Sequence, residues 1–189
     1  MGSLVVLTGP SGTGKGTVGA RLRELHPELW FSVSATSRPP RPGEADGVHY
    51  WFIDRAEFMR RVDAGDFLEW FEVHGDLKGT PKGPILEHLA AGDDCLVEID
   101  IQGALAVRRE FPEALLIFLR PPSRVEQRRR LEGRGQDDAA AIERRLADAE
   151  LEEAEALASG AFDAIVVNNE VDRTVDQVAA ILASRRSGA

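Results

Sequence analysis

The sequence predicts an α/β protein in which a parallel sheet is flanked by helices and a mixed α/β segment is inserted in the middle third. Three observations carry this. Four short apolar runs, Leu4–Leu7, Leu96–Ile99, Leu115–Leu119 and Ala164–Val167, lie between stretches of helical periodicity, the pattern of parallel strands covered on both faces. A glycine-rich stretch follows the first run directly and opens a helix. The middle third instead carries short alternating strands.

In chain order, Leu4–Leu7 reads as the first strand and Val18–Glu24 as part of a helix whose apolar side is Val18, Leu22 and Leu25. Trp30–Ser34 is strand-like, and a segment rich in arginine and proline runs to Asp46. His49–Ile53 alternates, Arg55–Ala64 is helical, Phe67–Val73 is strand, and a turn is expected at Gly75–Gly79. A helix around Ile85–Ala91 leads to the run Cys95–Ile99, and a helix at Ala104–Glu110 leads to Leu115–Leu119, which Pro121-Pro122 ends. Val125–Glu132 and Ala139–Ala158 are helices separated by Gly133-Arg134-Gly135. The strand Ala164–Val167 and the helix Val175–Ser184 close the chain.

The stretch Gly9-Pro10-Ser11-Gly12-Thr13-Gly14-Lys15-Gly16-Thr17 has the chemistry of a phosphate cradle. Glycines let the backbone curl around a polyphosphate so that successive N–H groups and the helix N-terminus point at the anion. Lys15 then reaches the β- and γ-phosphates, which marks a nucleoside triphosphate site. The pattern departs from G-x-x-x-x-G-K-[ST] at Gly16, where a hydroxyl would meet magnesium. The metal is therefore expected mainly on phosphate oxygens and water, or with help from Thr17.

Composition narrows the class. The 189 residues suit one domain, with a 43% hydrophobic content sufficient for a core and no apolar run of membrane-spanning length. The chain enters a strand at once without a basic leader, which predicts a cytoplasmic protein. A single cysteine, Cys95, excludes an intrachain disulfide and any multi-cysteine metal site. A formal charge of −9 argues against general affinity for nucleic acid, so anionic ligands must be met by local arginine clusters.

One such cluster lies in the insert, in Ser34-Ala35-Thr36-Ser37-Arg38-Pro39-Pro40-Arg41, followed by Gly43-Glu44 and Tyr50. Two guanidiniums and a phenol on a proline-stiffened segment suit a terminal phosphate, although paired surface arginines are also commonly just solvated. Glu98 and Asp100 end an apolar run, where ligands collect in open α/β sheets. Asp100 is read as orienting an arginine or a magnesium-bound water, with two solvated strand-end carboxylates as the alternative.

The phosphate loop, the Ser34–Arg41 segment with Glu44 and Tyr50, Phe67-Leu68-Glu69-Trp70, Asp100-Ile101-Gln102-Gly103, Arg130-Leu131-Glu132-Gly133-Arg134-Gly135 and Ile165-Val166-Val167-Asn168 together resemble guanylate kinase, in order and over nearly the whole chain. The resemblance implies a P-loop NTPase core at 1–33, 81–124 and 146–189, a GMP-binding region at 34–80 and a helical lid at 125–145. It implies transfer of the γ-phosphoryl group of Mg-ATP to GMP, with dGMP left open as an acceptor. Ser34 and Glu69 match readers of the guanine base, and Arg38, Arg41 and Tyr50 match the clamp on the GMP phosphate. Gly79 and Thr80 match the loop that closes on the acceptor, with the Thr80 hydroxyl near the base; Glu98 and Asp100 join this GMP side. Lys15, Arg134, Arg145 and Asp100 are the implied catalytic set, and Arg130 and Asn168 the implied further contacts to ATP.

Lys78 stands where the family usually carries a tyrosine whose hydroxyl touches the acceptor phosphate, so it either replaces that donor or points to solvent. Two other readings compete with the kinase: a catalytically silent module that binds phosphorylated protein segments, and a kinase for another small phosphate such as a ribose bisphosphate. Lys15, Arg134 and Arg145 argue against the first, and Ser34 with Glu69 against the second.

Overall fold

The structure is a computed structural model that describes residues 2–73, 75–133 and 138–187. Strands β1 (Leu4–Thr8), β2 (Trp30–Phe31), β7 (Cys95–Glu98), β8 (Leu115–Arg120) and β9 (Ala164–Val167) make a five-stranded sheet of order β2-β7-β1-β8-β9. Strands β3 (Ala35–Thr36), β4 (Trp51–Phe52), β5 (Phe67–Val73) and β6 (Asp76–Pro81) make a second, four-stranded sheet of order β4-β3-β6-β5. The helices are α1 (Lys15–Leu25), α2 (Arg55–Asp63), α3 (Lys82–Ala91), α4 (Ile101–Glu110), α5 (Arg124–Glu132), α6 (Ala139–Ser159) and α7 (Val171–Ser187). By packing, the chain divides into a unit of 1–5 with 28–114 and a unit of 6–27 with 115–189. The implied GMP-binding region lies wholly in the first, and the implied lid wholly in the second.

In the first unit, β2 pairs parallel with β7, and Ser32 N–H continues the ladder to the Leu96 carbonyl at 3.0 Å. The second sheet has its own core of Ala35, Phe58, Phe67 and Leu77. Phe58 stacks on Phe67 with ring centroids 4.4 Å apart. Helix α2 begins where Asp54 accepts from Glu57 N–H at 2.8 Å, the expected side-chain cap for an orphan donor. Most of the turn predicted at Gly75–Gly79 is instead strand: β6 begins at Asp76 and pairs antiparallel with β5 from Val73↔Asp76 to Phe67↔Pro81. Alternating burial along β6, with Leu77 inside and Lys78 half-exposed, wins over the turn tendency of its glycines.

In the second unit, β8 pairs parallel with β9 and Asp163 accepts from Leu116 N–H at 2.8 Å. Ser123 and Asp138 cap α5 and α6 through the N–H groups of Glu126 and Ala141. Strands β1 and β8 are buried almost throughout, as predicted, but β9 is not: Ile165 and Val167 are exposed and only Val166 of that pair of faces is enclosed. The reason is position, since β9 is an edge strand. Helix α7 starts at Val171, one turn before the predicted Val175. No helix among the described residues is long and apolar enough to cross a membrane.

Candidate active site

One cluster of candidate residues belongs to the second unit. Strand β1 feeds the loop 9–14, which opens α1 at Lys15. Gly9 takes φ 152° and a Cβ there would stand 2.3 Å from the Leu119 carbonyl oxygen; Gly14 takes φ 91° and its Cβ would stand 2.6 Å from Asn168 Nδ2. Both positions therefore require glycine on conformation and on space. No side chain caps α1, so the N–H groups of its first turn remain available to an anion at the positive end of the helix dipole. Lys15 Nζ donates to the Gly9 carbonyl and sits 3.5 Å from that of Pro10, which holds the ammonium over the loop.

Gly16 has open space around its Cβ position, so packing does not exclude a hydroxyl residue there. Thr17 lies exposed on the first turn of α1. Among the described residues no group of three or more His, Cys, Asp or Glu could hold a metal ion by itself.

Arg130 and Asn168 face the outside of the loop. The Asn168 amide donates to the Thr13 carbonyl at 2.7 Å, and Arg130 Nη1 donates to the same oxygen at 3.0 Å. Arg130 is held further by Glu126 at 2.9 Å. Gln127, fully buried, donates to the Ser11 carbonyl at 2.6 Å, so α5 is fastened to the loop. Arg145 lies on α6 and is half-buried; Arg134 lies outside the described residues.

Separate clusters of candidate residues belong to the first unit. Arg38 forms a two-pronged ion pair with Glu44, Nη1 to Oε2 and Nη2 to Oε1, both at 2.6 Å, and Nη1 also donates to the Pro39 carbonyl at 3.0 Å. Glu44 additionally accepts from Arg41 N–H at 2.8 Å. These bonds, Arg38's first, hold the Glu44 carboxyl down at about 2. The Arg38 guanidinium lies 5.1 Å from the Tyr50 ring centre and 5.6 Å from that of Phe52. The Arg41 side chain is exposed. Ser34 is tied to β4 through its carbonyl, which accepts from Trp51 N–H at 2.8 Å. Lys78 sits opposite Thr36 across β3 and opposite Phe71 across β5.

Glu69 and Thr80 face each other across β5 and β6, and the Thr80 hydroxyl donates to Glu69 Oε1 at 2.6 Å. The other carboxylate oxygen lies against Gly103 of α4, where a Cβ would stand 3.0 Å away. Burial pushes the Glu69 carboxyl up to about 7, opposed by the Thr80 hydrogen bond and assisted by the charge of Asp100. Asp100 is exposed at the N-cap of α4 with no capping bond from its side chain, and Glu98 is half-buried at the end of β7. A pair of carboxylates beside a neutral hydroxyl offers acceptors to a ligand with adjacent N–H donors, and adenine lacks that donor pair.

The guanylate kinase family profile matches residues 1–185. The chain belongs to the guanylate kinase family. It is 50% identical over 181 residues to the guanylate kinase of Thermobifida fusca, covering 96% of this chain and 91% of that one. It is 48% identical over 181 residues to that of Synechococcus sp. (strain JA-3-3Ab), covering 96% and 82%. The crystal structure of guanylate kinase from Anaplasma phagocytophilum matches with a TM-score of 0.79 at 32% identity, over 97% of this chain and 85% of that one. Shikimate kinase from Bacteroides thetaiotaomicron, at 11% identity and a TM-score of 0.52, shares the fold alone. For a guanylate kinase, the structure thus brings Arg38, Tyr50, Glu69 and Thr80 into two built clusters of one unit. Sequence reading gave no role to Glu44, Gly103, Gln127 or Thr174. Glu44 and Gly103 stood inside the quoted motifs, whereas nothing local marks Gln127, whose loop partner Ser11 is far along the chain, and Thr174, on the first turn of α7, reads as an ordinary helical threonine although Asn168 is only six residues away.

Proposed function

We infer that this chain phosphorylates GMP to GDP with ATP, by the residues of the phosphate loop and of these two clusters. The observation that carries the acceptor's identity is Glu69, enclosed beside Thr80 and Gly103 with Asp100 nearby. Glu69 accepts from guanine N1–H and the exocyclic amine, Thr80 fixes the carboxylate's direction, and Ser34 and Asp100 complete the polar wall. Arg38, Arg41, Tyr50 and Lys78 receive the GMP phosphate. Glu44 and the Pro39 carbonyl hold Arg38 in place.

On the donor side, the N–H groups of 9–17 and Lys15 hold the ATP phosphates. Magnesium supplies charge neutralisation across the β- and γ-phosphates when bound, with Thr17 as the protein group placed to assist. A GMP phosphate oxygen forms the new bond to the γ-phosphorus as the bond to the bridging oxygen breaks, and ADP leaves with that electron pair. The acceptor is already anionic near neutral pH, so no strong base is needed. Arg134 and Arg145 neutralise charge spreading over the transferred group, a contribution worth about 10³-fold or more for such arginines. Arg130 and Asn168 support the ATP side by shaping the loop rather than through free side-chain donors.

Comparing GMP with inosine monophosphate, which lacks the exocyclic amine, tests the base reading. A kcat/KM ratio of about 10² or more in favour of GMP is expected, since a built polar site discriminates strongly when a partner is missing. Equal use of the two would remove Glu69 from base recognition.

A further inference from the structure

A loop that turns its N–H groups inward on phosphate turns its carbonyls outward, and buried carbonyls need donors. Here those donors come from two distant segments. Gln127 Nε2 meets the Ser11 carbonyl at 2.6 Å, and Asn168 Nδ2 and Arg130 Nη1 converge on the Thr13 carbonyl at 2.7 and 3.0 Å. Arg130 Nη2 then donates to the Asn168 carbonyl at 2.9 Å, closing a ring.

The Thr13 oxygen only accepts, so the nitrogen of the Asn168 amide must face it and Oδ1 must face the other way. Oδ1 there meets the Thr174 hydroxyl of α7 at 3.0 Å, whose proton is shared with the Glu170 carbonyl at 2.9 Å. On the other side, Arg124 Nη1 donates to Gln127 Oε1 at 3.1 Å, which turns the Gln127 nitrogen toward the loop. Gln127, Asn168 and Thr174 are 0%, 2% and 1% exposed.

We propose that Gln127 and Thr174 are positioning residues for ATP: they hold the phosphate loop in its binding shape through its outward carbonyls, without touching the nucleotide. This rests on the assignment of 9–17 as the ATP cradle. Thr174→Val keeps the branched shape and removes only the hydroxyl, leaving Oδ1 of a buried amide without its partner. Gln127→Met keeps length and apolar bulk but leaves the Ser11 carbonyl without its donor.

The test is ADP affinity by calorimetry together with KM for ATP and for GMP, with thermal melts of each variant. Thr174→Val and Gln127→Met are each expected to weaken ADP and raise KM for ATP about tenfold, the scale of a buried polar group left unpaired. KM for GMP should stay within about twofold, and Thr174→Ser should restore ADP affinity. Unchanged ADP affinity in the folded variants would overturn the proposal, as would equal losses for ATP and GMP, which denote general loosening. The two residues lie on separate helices, so if one variant fails to fold the other decides. A wild-type protein that binds ADP but leaves GMP unphosphorylated would count against the assigned reaction, while the ADP affinities of the variants would still decide the role of Gln127 and Thr174.

Discussion

Replacing Glu69 by glutamine should make the protein more stable and worse at its work, and the size of both effects follows from one carboxyl. Burial raises that carboxyl from 4.5 to about 7. Between those two pH values the unfolded chain has lost the proton and the folded chain has kept it, so stability falls as pH rises. At 1.36 kcal/mol per pH unit, the free protein carries a cost of up to about 3 kcal/mol above pH 7 that is absent below pH 4.5. Glu69→Gln removes the titration and keeps an acceptor for Thr80. Urea denaturation should therefore show the variant more stable than wild type at pH 8, by as much as about 3 kcal/mol, with the difference vanishing near pH 4.5. The same ionisation governs recognition. At pH 6 only about a tenth of the free enzyme carries the Glu69 carboxylate, so KM for GMP should be about tenfold above its value at pH 8. The GMP phosphate itself titrates near pH 6, and the pH profile of Glu69→Gln isolates that contribution. A variant destabilised equally at both pH values, or a wild-type KM for GMP that follows the glutamine variant's profile, would refute the assignment.

Other expectations concern the clamp and its surroundings. Glu44→Gln should raise KM for GMP about tenfold by freeing Arg38 from its two-pronged partner; tighter GMP binding would show that Glu44 competes for Arg38 rather than aiming it. Gly103→Ala places a methyl 3.0 Å from Glu69 Oε2, and should raise KM for GMP while leaving KM for ATP unchanged in steady-state kinetics. Lys78→Tyr should change KM for GMP in the same assay; an unaltered value would mean that Lys78 points to solvent.

How much of this was visible in the sequence depended on the distance over which each feature acts. The phosphate loop was readable because strand, glycines, lysine and helix are contiguous, and its geometry needs little beyond itself. The Arg38–Glu44 pair also lies within one short segment, yet a two-pronged bond is a property of folded side chains and left no mark beyond the presence of both residues. Thr174 meets Asn168 in a buried bond, but on α7 it reads as an ordinary helical threonine. The exposed side of β9 was misjudged because an apolar run does not say whether a strand is central or at an edge. The hairpin of β5 and β6 was missed at β6 because Gly75 and Gly79 resemble turn punctuation, whereas only Gly75 has a positive φ, at 86°.

The central claim is that Lys15 serves the donor and Glu69 reads the acceptor in one transfer from ATP to GMP. A coupled assay of ADP formation from Mg-ATP with GMP, AMP, CMP, UMP or no acceptor, repeated with Glu69→Ala and Lys15→Ala, tests it most directly. Turnover that depends on GMP, and that falls by at least about 10²-fold in each variant, is predicted. Turnover that is indifferent to the base, or a Glu69→Ala variant as active on GMP as the wild type, would contradict it.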